Sequence, residues 1–371
     1  MVSHQLYASF LCMFDKHRPI ICVWLIGLLS SPFAFSIEAG AQAMPVRYTV
    51  LDRGPSLVRT LTNTPGLNNH GDFATWQAVS PSVTQGAIIG RRKSIYFQSE
   101  GRYALVYPAD INDVHVVTGS VQAPQDLRFT QAFRWSDNKL EILQTLGGPY
   151  AAGNAINNHG IVTGYSQTAT GARHAVRWRE HQPEDLGLLA QGDYSAARDI
   201  NDFGEIVGEA NITPNGKPHA FSWQNGHMNK LKDLAGSTFC NAQALNDVGE
   251  IVGSCDVPNG TAHGVLWRKS RVEDLGTLGD DDAPSMALDI NARAQVVGSS
   301  EVVDGKLRAF LWQGGRMYDL NNAIPPHNGW LLMVASRIND AGEIAGRGFY
   351  QGTIHAFLLQ PAASTRVVAK R

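Results

Sequence analysis

Four histidines, His174, His219, His263 and His355, recur in one local setting, each followed by a small residue and then an apolar one. A ring of imidazoles suggests metal chemistry, but bonds from a metal to nitrogen are only about 2.0 to 2.1 Å long. Equivalent positions in separate structural units lie too far apart to share one ion. The expected role is structural, with each imidazole bonded inside its own unit because buried polar groups need partners. Asp280, Asp281 and Asp282 form the densest acidic cluster. Calcium suits carboxylates, but it takes six to eight oxygens and this run lacks the spacing of a helix–loop–helix calcium site. No cofactor is expected, calcium being the one ion these residues would suit. His327 and Trp330, which fall in another irregular segment, join Asp280, Asp281 and Asp282 as candidate binding residues. The three aspartates and His327 are also the only visible acid/base candidates. No catalytic residue is assigned, because GxSxG, HExxH and phosphate-binding glycine loops are all absent.

Cys240 lies six residues before Asn246, and Cys255 lies six after Gly249. If 246–249 is a hairpin turn without a bulge, the two thiols face each other and can form a disulfide in an oxidising compartment. A bulge at Gly249 shifts the register by one and puts them on opposite faces.

The elements that position these residues follow from a repeat. The motif apolar-Asn-x-x-Gly, followed by apolar residues and a second Gly, is best formed at Asn157, Asn201 and Asn246, and is weaker at Asn68, Asn112, Asn291 and Asn339. His115 and Ala294 replace the first Gly in two of these. Successive asparagines are separated by 44, 45, 44, 45, 45 and 48 residues. A second motif keeps step and ends in Trp135, Trp178, Trp223, Trp267 and Trp312, and a third reads Asp-Leu at Asp185, Asp233, Asp274 and Asp319. One tryptophan per repeat reads as packing between repeats rather than as a sugar platform. Trp76 and Trp330 fall outside the pattern and are better placed to touch a ligand.

Each Asn-x-x-Gly can close a hairpin through an Asx-turn with Gly at positive φ, and the tryptophan strand turns into the Asp-Leu strand as a second hairpin. Four short strands in a period of about 45 residues predict an all-β, seven-bladed β-propeller. The strand at Tyr48 is expected to complete the last blade beside residues 355–359, closing the ring and hiding both edges. The domain is placed at 44–360, with a flexible tail at 361–371.

These motifs resemble the HAF-repeat family of exported bacterial proteins, through His174-Ala175, His219-Ala220-Phe221 and His355-Ala356-Phe357. The first repeat lacks the aromatic motif, and Gln131, His263-Gly264 and Arg308 depart from it. The resemblance implies an extracellular or periplasmic repeat protein and carries over no catalytic residue.

Residues 1–43 read as a signal peptide: Lys16, His17 and Arg18 precede an apolar run at 20–29, and Ala41-Gln42-Ala43 offers a cleavage site. Ten apolar residues are too few to span a bilayer, which takes roughly 20. Met13 is an alternative start. Cleavage removes Cys12 and Cys22, leaving a secreted or periplasmic chain with two cysteines and no stable membrane insertion. Lys and Arg total 31 against 33 Asp and Glu, a net charge of -2 with no basic block to follow a phosphate backbone, so nucleic acid is not an expected partner.

With antiparallel strands, the loops 121–130, 209–217, 280–285 and 321–330 share one face and vary, whereas the Asn-x-x-Gly turns share the other. The expected function is a noncatalytic exported binding or scaffold module, acting as a monomer on a protein or polysaccharide through the variable face. The alternative is a propeller enzyme acting on an extracellular carbohydrate or other polymer.

Overall fold

The Asn-x-x-Gly motifs reverse the chain through bonds to the asparagine side chain and to its carbonyl. At Asn246 the side-chain Oδ1 accepts the N–H of Val248 at 3.2 Å and of Glu250 at 2.9 Å. Gly249, at φ 77°, donates its own N–H to the Asn246 carbonyl at 3.1 Å. Glycine enters this left-handed region without a Cβ clash. Where the motif is weaker the backbone keeps the conformation at a cost, with His115 at φ 61° and Ala294 at φ 55°.

The computed structural model describes residues 44, 46–55, 66–80, 82–99 and 103–362. The expected signal peptide at 1–43, its cleavage site and residues 363–371 of the expected tail lie outside them. Among the described residues no helix is long and apolar enough to cross a membrane.

β1 (Tyr48–Pro55) belongs to the last sheet of the chain. β2 (Gly66–Leu67), β3 (Phe73–Ser80), β4 (Val83–Ile89) and β5 (Ser94–Phe97) form a four-stranded sheet. The next two repeats supply β6 (Leu105–Ile111), β7 (Val117–Ala123), β8 (Asp126–Ser136) and β9 (Lys139–Ile142), then β10 (Gly147–Ile156), β11 (Val162–Thr168), β12 (Arg173–Arg179) and β13 (Gln182–Asp185). A four-stranded sheet follows from β14 (Ser195–Ile200), β15 (Ile206–Asn211), β16 (Pro218–Gln224) and β17 (His227–Lys230). Another is built from β18 (Cys240–Leu245), β19 (Ile251–Asp256), β20 (Ala262–Arg268) and β21 (Arg271–Asp274). A further sheet comprises β22 (Ser285–Ile290), β23 (Val296–Glu301), β24 (Leu307–Gln313) and β25 (Arg316–Asp319). In the last sheet, β26 (Trp330–Ile338), β27 (Ile344–Tyr350) and β28 (Thr353–Pro361) are completed by β1 on the outside.

The expectation of seven separate four-stranded blades is corrected by this topology. Five blades are four-stranded, and β6 to β13 form one eight-stranded sheet. The cause is local: β8 and β10 are longer than their counterparts, and Tyr150 meets Thr130 in a parallel pairing that joins the two repeats. β28 also runs through Pro361, and Ala362 N–H donates to the Arg47 carbonyl at 2.7 Å, so strand pairing extends past the expected boundary at 360.

Cys240 and Cys255 pair directly and are joined by a disulfide. The turn does carry the one-residue offset that would have separated them, since Leu245 pairs with Ile251. A second offset between Ala242 and Ala244 reverses it, with Gln243 as the extra residue. The same inner-strand offset recurs in β6, β10, β14, β22 and β26. It explains the second motif Gly: a Cβ on Gly253 would collide with the Asn241 carbonyl oxygen.

The apolar residues lie between neighbouring sheets. Val207 and Ala220 pack with Leu245, Ile251, Val265 and Trp267, and Val252 and Leu266 pack with Ile290, Phe310 and Trp312. Trp178 and Trp267 send their indole N–H to the carbonyls of Gln144 and Lys232 in the preceding repeat, both at 2.7 Å, so these rings are staples as well as filler. The first and last sheets meet through Phe73, Ala345 and Leu358, and through an ion pair of Arg91 with Glu343 at 2.6 Å.

Candidate functional site

The motif asparagines do more than shape turns. Each Nδ2 donates to the main-chain carbonyl of the next motif asparagine. The relay runs Asn68 to Asn112 at 3.2 Å, Asn112 to Asn157 at 2.9 Å, Asn157 to Asn201 at 3.1 Å and Asn201 to Asn246 at 3.2 Å. It continues from Asn246 to Asn291, Asn291 to Asn339 and Asn339 back to Asn68, each at 3.1 Å. Aspartate has no such donor, which is why the motif needs Asn at this position. All seven asparagines line one cavity of about 200 Å³, which therefore lies on the axis of the ring.

The residue two before each asparagine varies around the ring: Gly66, Asp110, Ala155, Asp199, Ala244, Asp289 and Arg337. Asp110, Asp199, Asp289 and Arg337 line the cavity, together with Gln243 and Arg198. Each carboxylate also straps one repeat to the next. Asp110 accepts the Ile156 N–H at 3.0 Å, Asp199 that of Leu245 at 2.9 Å and Asp289 that of Ile338 at 2.8 Å. Asp199 and Asp289 further accept from Ile200 and Ile290.

All three side chains touch the cavity yet are ringed by protein. Enclosure is the main force on Asp199; with the like charges of Asp110 and Asp289 it pushes the carboxyl up to about 7, against the bonds from Leu245 and Ile200. Enclosure raises Asp289 to about 6, opposed by Arg337. Asp110 is raised for the same reason, and Arg337 again opposes. Burial acts to lower Arg198, but the carboxylate of Glu209 at 2.6 Å outweighs it and holds the guanidinium charged. Asp113, Asp202, Asp247 and Asp340 stand at the mouth. Neighbouring turns interlock there, with the N–H of Asn158 on Asp202 at 2.8 Å and that of Asp202 on Asp247 at 3.0 Å. Seven aspartates thus face two arginines in one cavity of a chain whose net charge is only -2.

The residues singled out from sequence lie elsewhere. Asp280, Asp281 and Asp282 are exposed in the loop before β22, on the opposite face. Asp282 accepts from Asn259 at 2.6 Å, and the Asp280 carbonyl accepts the Thr277 hydroxyl at 2.8 Å. Among the described residues no group of three His, Cys, Asp or Glu is placed to hold a metal ion. His327 is exposed in a turn at φ 59°. Trp330 is packed instead, stacked on Tyr350 at 4.6 Å with His355 and Phe357 edge-on. No contact brings Asp280 to Asp282 together with His327 or Trp330 among the described residues. The repeat histidines pair with the aspartate in or just after the neighbouring outer strand: His174 with Asp185 at 2.8 Å, His219 with Asp233 at 3.1 Å, His263 with Asp274 at 2.9 Å and His355 with Asp52 at 2.9 Å.

No family model matches the chain, and no curated protein matches it. Among solved structures it is similar to the β-propeller domain of the trilobed protease from Pyrococcus furiosus, at 10% identity and a TM-score of 0.53, covering 85% of this chain and 97% of that one. It is also similar to a puromycin-hydrolysing peptidase of Mycobacterium tuberculosis, at 11% identity and a TM-score of 0.53, covering 81% of this chain but only 51% of the peptidase. Likeness at such identity defines the class as a β-propeller and carries no activity across.

Proposed function

We propose that this protein is an exported, noncatalytic β-propeller that binds its partner by taking a cationic group, an amine or a guanidinium, into the axial cavity. The observation that carries this reading is the concentration of seven aspartates against two arginines in a cavity walled by protein, where field lines are focused. Arg198 is largely spoken for by Glu209, which leaves Arg337 as the main counter-charge. The Cys240–Cys255 disulfide supports an oxidising compartment, in keeping with the leader-like first 43 residues and with the exported repeat family that the motifs resemble. The partner is then a basic protein segment or an amino-bearing polysaccharide. A thermal-shift titration with spermidine and with a lysine-rich oligopeptide tests it, because a ligand that binds only the folded state raises the midpoint. A saturable rise that disappears in Asp199→Asn/Asp289→Asn is expected. An equal rise in that variant refutes the assignment.

One observation favours a second reading. Asp199, poised near 7, has the protonation range of a general acid, as a propeller enzyme cleaving a polymer would need. Turnover of amino-polysaccharide fragments that is abolished in Asp199→Asn would select it.

A further inference from the structure

The turn joining the third and outer strands is two residues long in most repeats: 137–138, 180–181, 225–226, 269–270 and 314–315. The first repeat departs from this, with Gly90-Arg91-Arg92-Lys93 between β4 and β5. The insertion adds length and three consecutive cations, of which Arg91 joins the first sheet to the last through Glu343. It lies on the same face as the Asn-x-x-Gly turns and borders a second cavity of about 300 Å³, lined by Arg91, Arg92, Lys93, His70, His115 and Asp72.

These side chains are not equally engaged. Arg91 is held by Glu343 at the junction of the first and last sheets. Asp72 accepts from His115 Nε2 at 2.7 Å and fixes that ring, which stacks on His70 with centroids 6.1 Å apart. The side chains of Arg92 and Lys93 have no hydrogen bond or ion pair to any described residue, and both are exposed at the cavity. Ile88 and Ile95 add an apolar wall.

We propose that this pocket binds a compact oxyanion, a phosphate or sulfate group carried on a small ester. Arg92 and Lys93 supply the charge, and the His70 imidazole can turn an N–H toward it, the N–H of His115 being held by Asp72. Guanidinium and ammonium groups form the strong charge-assisted bonds that phosphate and sulfate oxygens accept. The volume is at the lower end of small-ligand pockets, roughly 300 to 1,000 Å³. It leaves room for the carbon part of an ester against Ile88 and Ile95. Three cations are too short a run to track a nucleic acid backbone, whose binding rests on many phosphate contacts.

The test is calorimetric titration of the purified protein with inorganic phosphate, sulfate and glucose 6-phosphate at constant ionic strength, with chloride as the reference. Saturable binding is expected, weakened roughly tenfold or more in Arg92→Gln/Lys93→Gln, the scale of one lost charge-assisted hydrogen bond. It should be retained in Arg92→Lys/Lys93→Arg, and in Lys306→Gln, which removes a cation on the opposite face. Tighter binding of the sugar phosphate than of inorganic phosphate supports an ester as ligand, and equal binding supports the free ion. Absence of saturation, binding unchanged in Arg92→Gln/Lys93→Gln, or binding only to long polyanions that phosphate does not compete away would overturn the proposal.

Discussion

Replacing Asp199 by Asn should change how stability depends on pH, and the sign follows from its position. The carboxyl is raised from 3.8 to about 7 in the folded protein. Between those values the folded state holds a proton that the unfolded state has released. The contribution of Asp199 is therefore most favourable below pH 3.8, falls as pH rises through the window and levels off above 7. At 1.36 kcal/mol per pH unit, the full span corresponds to roughly 4 kcal/mol. Water in the cavity screens part of this, and Asn keeps only one of the two backbone bonds that the carboxylate accepts, a loss of about 1 kcal/mol. Asp199→Asn should then be about 1 kcal/mol less stable than the parent at pH 4 and roughly 2 kcal/mol more stable at pH 8. Guanidinium unfolding of both proteins across pH 4 to 8 measures the difference. A difference that stays constant with pH refutes the argument that enclosure and the charges of Asp110 and Asp289 govern this group.

Other consequences are local. Asn246→Asp removes the Nδ2 donor to the Asn291 carbonyl and places a carboxylate beside Glu250; it should cost about 2 to 3 kcal/mol at neutral pH by denaturant unfolding, and less in acid, where the carboxyl is again a donor. Removing the disulfide with Cys240→Ala/Cys255→Ala should cost roughly 3 kcal/mol, the loop-entropy value for a sequence separation of 15, read as a lower thermal midpoint. Gly253→Ala should cost about 3 kcal/mol or more, because its Cβ would press on backbone atoms of both Asn241 and Ala242, which cannot swing aside; a neutral effect would show that the bulged strand relaxes freely.

Much of this fold is legible in the residues because a repeated turn has one physical solution. Asn with Gly three residues later predicts the Asx-turn, and the register of tryptophans predicts rings packed between sheets. The disulfide pairing depends on two offsets that cancel, at Gly249 and at Gln243; the first can be suspected from the turn, but the second shows only in the strand register. The merging of two repeats into one eight-stranded sheet comes from a single pairing of Tyr150 with Thr130, which no motif marks. The axial site is written in the same repeat at a less conspicuous position. Motif residues that never change carry architecture, whereas the position two before each asparagine varies among Gly, Asp, Ala and Arg. At Asp110, Asp199, Asp289 and Arg337 that position lines the axial cavity and sits at the inner-strand offset, so its chemistry is hidden until the register is known. The exposed loops stand out by composition, yet Trp330 packs against Tyr350.

The central claim, that the axial carboxylates receive a cation, is tested most directly by proton release on binding. Spermidine should be titrated calorimetrically at pH 6.5 in two buffers of different ionisation enthalpy. A cation beside Asp199 and Asp289 favours their charged forms, so binding should expel protons at pH 6.5, release almost none at pH 8.5, and lose this linkage in Asp199→Asn/Asp289→Asn. No saturable binding, or binding with the same proton count in that variant, would contradict the account.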